Sequence, residues 1–171
     1  MAGGCASDPV RLDYDQNARF EPVSTWVFLG ATADAGEAVT LMDRRVHDAL
    51  KVILDHRGWQ EVSGSGARIG WRWDVIEDTE LEPAPGVTWG VGFGIGHRHS
   101  GLGFGFRTPA PMREKRHYRL VLEALKMPER QVIWRAESRE RLLQEDTPEA
   151  RTAQIRRLVA EMLGHWPPPG R

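Results

Sequence analysis

Between residues 89 and 96, and again between 101 and 106, glycine alternates with apolar residues in a strict two-residue period. The glycines are Gly90, Gly92, Gly94 and Gly96 in a first arm and Gly101, Gly103 and Gly105 in a second. Successive side chains of a strand point to opposite faces, so this pattern predicts a β-hairpin with one apolar face and one face of bare backbone. Nucleotide-binding glycine loops interrupt the two-residue period, and no Gly-Lys-Ser or Gly-Lys-Thr follows here. The segment is therefore predicted to be a hairpin rather than a phosphate-binding loop.

The bare face of this hairpin has three interpretations, which the sequence leaves open. Glycine in a strand commonly marks a close approach of backbone, which favours a core hairpin whose glycine face lies beneath a helix or at a bend. Alternatively, Trp89 and the hairpin glycines form a surface that receives a partner strand or an apolar ligand, since few side chains obstruct it. In the third interpretation several copies insert their hairpins to build a membrane barrel, because about 10 residues of alternating pattern can cross a bilayer.

The turn of the predicted hairpin carries His97 and His99, two residues apart. A pair of histidines can contribute to a zinc or copper site, but such sites need further ligands. No acidic residue or cysteine is placed beside the pair as a third ligand. We therefore interpret both histidines as part of a solvated turn. The sequence predicts no metal and no other cofactor.

Elsewhere the hydrophobic pattern predicts a mixture of strands and helices. Strands are expected at 10–14, 25–29, 69–75, 118–125 and 132–137, and one helix between Asp43 and Gly58. A final helix is capped by Thr147, carries Trp166 in its apolar stripe and is stopped by Pro167. Short connections between consecutive strands favour antiparallel pairing. The predicted class is α+β: a two-layer sandwich of a mainly antiparallel sheet with two helices packed on one face.

The tryptophans of the predicted strands are expected to form much of the core. Trp71 and Trp73 share one strand face, and Trp134 shares another with Val132 and Ala136. Large aromatic rings bury more apolar area than other side chains, so we place these faces against the helices.

The length of 171 residues fits a single domain with short extensions. We predict an N-terminal leader remnant and tether at 1–9, one α+β domain at 10–168 and a tail at 169–171. The formal net charge is −1, and no basic face interleaved with aromatic residues is present, so no nucleic-acid partner is predicted.

Two oppositely charged segments flank the hairpin. The acidic residues between 74 and 82 are predicted to lie in a loop closed by Pro83 and Pro85, and a basic stretch between 107 and 119 leads into the next strand. These segments either pair with one another across the hairpin or present two charged rims to a partner. Carboxylates also occur at Asp13 and Asp15, where Asp15 is predicted to bond its own backbone in a turn.

The single cysteine, Cys5, follows Ala2, Gly3 and Gly4. Small residues before a cysteine are similar to the end of a lipobox, at which a bacterial signal peptidase cuts and the cysteine is acylated. A full leader has a basic region and roughly 7–15 apolar residues upstream. Neither feature stands before Cys5 here, so either the start of the chain has been trimmed or misassigned, or Cys5 is an ordinary thiol in a frayed terminus.

Short pieces of sequence follow one another in a recognisable order along almost the whole predicted domain. They are Leu12-Asp13-Tyr14-Asp15, Phe20, Thr25-Trp26, Asp43-Arg44-Arg45-Val46, Ala49-Leu50, Arg57-Gly58-Trp59, the glycine-rich hairpin, Leu120-Val121-Leu122, Val132-Ile133-Trp134-Arg135, Met162-Leu163 and Trp166-Pro167-Pro168. This ordered set resembles a family of bacterial lipoproteins labelled domain of unknown function 4136. The resemblance implies an α+β domain tethered to a bacterial envelope membrane, usually the outer one, and implies no catalytic residues. It also makes Cys5 the expected site of lipid attachment.

We therefore expect a lipid-anchored, periplasm-facing domain that acts as a non-catalytic binding or assembly module. Its partner is an unknown protein or apolar ligand, and its membrane contact is through the anchor alone. Two alternatives stay open: a small hydrolase-like enzyme using histidine and carboxylate side chains near the hairpin or the acidic loop, and an oligomeric structural subunit of the envelope. Binding is placed first because of the ordered family resemblance, the context of Cys5 and the lack of a catalytic constellation such as a G-x-S-x-G nucleophile elbow. Neither the ligand nor the oligomeric state follows from the sequence.

Overall fold

A computed structural model describes residues 8–20, 22–31, 39–83, 112–143 and 146–168. The helices and strands in these ranges are β1 (Val10–Tyr14), β2 (Thr25–Ala31), α1 (Leu41–His56), β3 (Gln60–Glu61), β4 (Ile69–Pro83), β5 (Met112–Lys126), β6 (Gln131–Ser138) and α2 (Pro148–Leu163). A 3-10 turn at Gly64–Gly66 precedes β4. The predicted α+β class is confirmed.

The six strands form one mixed sheet in the order β1-β6-β5-β4-β2-β3. β6 pairs antiparallel with both β1 and β5, whereas β2 pairs parallel with β3 and β4. β2 and β4 can pair in parallel because α1 lies between them in the chain. The helix carries the chain back to the end of the sheet at which β2 begins, so β4 starts from that same end. Antiparallel pairing from short connections therefore holds for only part of the sheet.

The contacts divide the chain into two compact units. The larger comprises Met1–Glu77 and Tyr118–Arg171, and the smaller comprises Asp78–His117. In the smaller unit the structure describes the end of β4, at 78–83, and the start of β5, at 112–117. The core, the cleft and the groove discussed below all belong to the larger unit.

The acidic segment is a strand rather than the predicted loop. β4 continues through Pro83, and β5 begins at Met112, before the predicted start at Tyr118. The acidic segment and the described part of the basic stretch, 112–119, thus lie on strands that are neighbours in the sheet. Charge and proline content indicated a loop, but strand preference depends more on the neighbouring strand than on local composition.

Both helices pack on one face of the sheet and share a single hydrophobic core. Trp71 and Trp134 are fully buried and Trp73 is nearly so, which confirms that these tryptophans point toward the helices. The prediction that Val132 points inward is wrong: its side chain is 37% exposed, whereas Ile133 is 4% exposed. The pairing of β5 with β6 shifts register between Ala124 and Leu125, and this irregularity interrupts the two-residue alternation.

The two helices run side by side in the same direction. Near their starts, Nε of Arg45 in α1 donates to Oγ1 of Thr152 in α2 at 3.3 Å. At their far ends, Arg57 after α1 contacts Leu163 of α2. Both helices begin at a threonine that caps the first turn, as predicted for Thr147. The two N-termini therefore lie at one end of the helix layer and the two C-termini at the other.

Asp43, predicted near the start of α1, forms a capping box with Thr40. Each residue's side chain accepts from the other's backbone N–H, at 2.8 and 3.0 Å, and Nε1 of Trp73 donates to Oδ1 of Asp43 at 2.8 Å. Burial acts to raise the pKa of the Asp43 carboxyl, but hydrogen bonds from Thr40, Trp73 and the backbone of Ala31 outweigh it and lower that pKa. The ionised carboxylate thus ties the start of α1 to the sheet.

Candidate binding site

The residues predicted to carry function lie outside the described ranges. They are the lipid-attachment candidate Cys5, the hairpin surface of Trp89, Gly90, Gly92, Gly94, Gly96, Gly101, Gly103 and Gly105, and the turn histidines His97 and His99. Those assignments stay predictions. The candidate site described here is built instead from residues of the larger unit.

A cleft of about 510 Å³ opens where the loop after β1, the start of β4 and the turn between β5 and β6 meet. Its lining includes the apolar side chains of Phe20, Ile133 and Trp166. The rings of Phe20 and Trp166 meet edge to face, with centroids 5.2 Å apart and planes at 78°. Such a pair offers a large apolar surface of defined shape, which suits a ligand with an aromatic or aliphatic body.

The aromatic floor of the cleft is continuous with the core. The ring of Trp166 lies 5.3 Å from Trp71, 5.6 Å from Trp134 and 6.3 Å from Trp59, measured between centroids, and every pair is edge to face. Trp166 is held by packing although it follows the end of α2 rather than lying in the predicted helical stripe. Because its neighbours fix the orientation of its ring, the floor is preformed rather than assembled by a ligand.

Positive charge dominates the rim of the cleft. Arg19, Arg68 and Lys126 all line it, against a single carboxylate, that of Asp15. Arg19 and Lys126 are exposed, so their charged groups are in solvent at the mouth. Cations above an apolar floor favour a ligand that combines an apolar body with an anionic group, and an arginine beside aromatic rings can also stack on them.

The carboxylate of Asp15 is already engaged in local structure. Its Oδ1 accepts from the backbone N–H of Asn17 at 2.8 Å, which confirms the predicted turn, and its Oδ2 accepts from Nε2 of Gln131 at 3.3 Å. The bond with Gln131 joins the loop after β1 to the start of β6. No histidine, cysteine, serine or second carboxylate is among the described residues that line the cleft. The lining thus combines an apolar floor with a few polar and cationic side chains, a composition that suits ligand binding.

The clearest histidine–carboxylate contact lies elsewhere, between α1 and β3. Nε2 of His47 is 2.7 Å from Oε1 of Glu61, and its Nδ1 is 3.5 Å from Oδ1 of Asp48. The imidazole also packs against the rings of Trp26 and Phe28, at centroid distances of 5.9 and 5.2 Å. Both ring nitrogens therefore face carboxylates, and the contact joins α1 to the sheet.

No group of three or more His, Cys, Asp or Glu residues within the described ranges is arranged to hold a metal ion. Nor does any helix in those ranges have the length and apolar character needed to cross a membrane.

Sequence patterns missed most of the cleft. Its polar lining comes from the loop after β1, the residue before β4, the end of β5 and the start of β6: Arg19, Arg68, Lys126 and Gln131. None of these residues belongs to a recognisable motif. The available signal was a large aromatic residue outside regular secondary structure, as at Phe20. An apolar ring in a loop needs an apolar neighbour elsewhere in the chain, and the sequence does not say which one.

A family model described as a domain of unknown function, DUF4136, matches residues 10–168. Among solved structures, the chain is similar to a PDZ domain protein from Parabacteroides distasonis, with a TM-score of 0.55 and 12% sequence identity over 95% of this chain. The match covers 36% of that protein, about a third of its length.

The chain is also similar to two dodecameric structures of PelC from Paraburkholderia phytofirmans, with TM-scores of 0.43 and 0.45 and identities of 12% and 13%. Each of these matches covers 90% of this chain, with 92% and 93% of the PelC chains covered. At such identities, likeness to solved structures concerns the fold alone. No curated protein matches the sequence significantly.

Proposed function

The chain belongs to DUF4136, a family of domains of unknown function, and on that premise we propose that it is a non-catalytic binding module of the bacterial cell envelope. The observation that carries the binding role is the cleft, in which the Phe20–Trp166 pair forms an apolar floor beneath cations. The ligand class that fits is a molecule or protein group with an apolar body and one anionic group.

The preference for an anion follows from the charges at the mouth. Lys126 and Arg19 are exposed and Arg68 lies beside them in the lining, whereas the one carboxylate already accepts two hydrogen bonds. Exposed ion pairs contribute little individually, about 0–1 kcal/mol, so we assign most of the affinity to the aromatic floor and the selectivity to the rim. A neutral or cationic ligand of the same shape is therefore expected to bind more weakly.

Isothermal titration with two ligands of the same shape and opposite charge tests this proposal. We expect 2-naphthoate to bind more tightly than 2-naphthylmethylammonium, and Lys126→Glu and Arg19→Glu each to weaken 2-naphthoate binding by about 3- to 10-fold. Arg139→Glu reverses an exposed charge that does not line the cleft and serves as the matched control.

Three outcomes contradict the proposed binding role. One is equal affinity for the two naphthyl ligands or none for either. Another is an equal loss of affinity in Arg139→Glu. The third is hydrolysis of a naphthyl ester by the purified chain that disappears in His47→Ala or Glu61→Gln, since that result identifies an enzyme built on the histidine–carboxylate contact.

The envelope location in this proposal rests on two sequence features. Cys5 follows small residues in the manner of a lipobox, and the chain's ordered landmarks resemble a family of envelope lipoproteins. One acyl chain holds a protein to a membrane only marginally, so stable anchoring needs the two or three chains that a modified N-terminal cysteine carries.

Metabolic labelling of the full-length precursor in a bacterial host tests the anchor. We expect incorporation of labelled palmitate, its loss in Cys5→Ser, and accumulation of unprocessed precursor when lipoprotein signal peptidase is inhibited by globomycin. Export of an unlabelled wild-type protein contradicts the anchor. The binding experiment does not depend on this result, so the two parts of the proposal can fail separately.

A further inference from the structure

A second concave surface lies at the end of the helix layer where both helices begin. This groove, of about 470 Å³, is formed by the first turns of α1 and α2 and by the segment that follows β6. Its apolar lining is aliphatic throughout, with Met42, Leu142, Leu143 and Ile155. It shares no lining residue with the aromatic cleft.

The charged residues that line the groove are all cationic. Arg45 and Arg151 line it, and none of its described lining residues is acidic. Among the described residues, the hydrogen bond of the Arg45 guanidinium is the one from Nε to Thr152, so its two terminal nitrogens remain to bind an anion.

Gln154 adds a polar group to the same surface. Its side chain is 6% exposed, it lines the groove, and its Nε2 has no acceptor in the part of the chain that the structure describes. Buried amide groups in proteins are nearly always hydrogen-bonded. An oxygen of a bound chain, reached by rotation of the terminal amide, would supply the acceptor that the groove itself lacks.

Exposed apolar side chains indicate that the occupant is a macromolecule rather than a small ligand. Leu143 in the groove is 58% exposed, and Val39 and Leu41, three residues and one residue before the groove residue Met42, are exposed as well. A small ligand in an open groove leaves such groups in water, whereas a partner protein covers them with its own surface. A second copy related by a two-fold axis would bring Arg45 and Arg151 toward their own copies, which repel.

We propose that this groove docks an acidic amphipathic segment of a partner protein. The segment's aliphatic side chains contact Met42, Leu142, Leu143 and Ile155. Its Asp or Glu side chains pair with the terminal nitrogens of Arg45, and Arg151 adds positive charge to the same groove. A helix that presents apolar residues at three- and four-residue spacing, flanked by acids, is the recognition mode that this combination of groove and charge fits. The docking role is additional to ligand binding in the aromatic cleft.

Fluorescence anisotropy of the intact domain with two labelled peptides tests the proposal. The probe is a 12-residue amphipathic peptide of leucine and glutamate, and its counterpart has lysine in place of each glutamate. We expect the glutamate peptide to bind at least about tenfold more tightly than the lysine peptide. The double variant Arg45→Glu with Arg151→Glu should weaken binding of the glutamate peptide by about tenfold, and Leu143→Asp should do so separately.

Arg156→Glu is the matched control, because Arg156 is exposed on α2 outside the groove, and its peptide affinity should stay within about twofold of wild type. Leu143 and Arg151 are exposed residues of the groove, whereas Arg45 is half-buried. Thermal unfolding of each variant verifies that it is folded. Equal binding of both peptides, or the same loss in Arg156→Glu, overturns the proposal.

Two further measurements distinguish the proposed protein segment from two other occupants of the groove, a second copy of the chain and a membrane surface. Self-association in light scattering that Arg45→Glu abolishes would assign the groove to a second copy of the chain. Binding to phosphatidylglycerol vesicles that the double variant abolishes, without peptide binding, would assign it to a membrane surface. Either result contradicts docking of an acidic protein segment.

Discussion

Arg57, the residue that follows α1, donates through Nη2 to the carbonyl oxygen of Leu163, the last residue of α2, at 2.7 Å. Its Nη1 donates to the carbonyl oxygen of Trp166 at 3.3 Å. The last carbonyls of a helix lack intrahelical partners and carry partial negative charge. One guanidinium thus joins the ends of two parallel helices and holds the chain just before Trp166, the floor of the cleft.

We expect Arg57→Ala to lower the free energy of unfolding by about 1–2 kcal/mol, because two charge-assisted hydrogen bonds at a partly solvated site are lost. Arg57→Lys retains the charge but cannot reach both carbonyls in the planar geometry of a guanidinium, so an intermediate loss is expected. Urea unfolding measures both, with Arg156→Ala on the exposed face of α2 as the control. An equal loss in the control would show that general charge, not this contact, is responsible.

Asp43→Asn should destabilise the domain by about 1–3 kcal/mol at pH 7, since Asp43 holds the capping box and Trp73. The folded-state pKa of the carboxyl lies below its ordinary value of 3.8, so its contribution is complete above that pH and is lost as pH falls through the folded-state pKa. Urea unfolding at pH 7 and pH 3 should show the difference between wild type and variant narrowing at pH 3. A constant difference would contradict this linkage. Asp13→Asn, which changes an exposed carboxylate on β1, is the control.

The sheet face opposite the helices holds a carboxylate between two arginines. Glu123 is 5% exposed; Arg72 donates to its Oε2 through Nε at 2.8 Å and Nη2 at 2.5 Å, and Arg135 donates to Oε1 at 2.6 Å. Glu123→Ala leaves two partly exposed cations without their acceptor, so we expect a loss of about 1–3 kcal/mol.

A triple replacement tests whether this loss comes from the unpaired arginines. Glu123→Leu with Arg72→Met and Arg135→Met should recover most of the stability lost in Glu123→Ala, because no uncompensated charge remains. Chemical unfolding of the three proteins checks this. A triple variant as unstable as Glu123→Ala would mean that the ion pairs themselves, rather than the unpaired charges, determine the loss.

Gly58, predicted to end the first helix, has φ +78°, in the left-handed region where a Cβ is unfavourable. A Cβ there would meet nothing within 4 Å, so the cost of Gly58→Ala is conformational, about 1–2 kcal/mol. Gly66→Ala is the control, because Gly66 lacks a positive φ and its Cβ would make an ordinary contact with Val62 at 3.8 Å. Thermal unfolding should therefore separate the two alanine variants, and equal melting temperatures would refute the assignment.

Prediction from sequence succeeded where near neighbours in the chain decide the structure. The cap at Thr147, the turn at Asp15 and the end of α1 before Gly58 all depend on contacts within a few residues. It failed at Val132, because the register shift that exposes this side chain belongs to the pairing of two strands. It also placed 74–82 in a loop, because composition was considered without the neighbouring strand.

The sequence by itself predicts the α+β class, the glycine-rich hairpin at 89–106 and acylation at Cys5. Of these three predictions, the structure confirms the α+β class. Periodicity and capping are local, so the residues themselves determine the helices and the inward tryptophans. Only the tertiary structure joins β2 to β4 in parallel, aligns the two helices and gathers Phe20, Ile133 and Trp166 into one cleft. These relationships depend on packing between distant segments, whose choice of partner is a property of the whole fold.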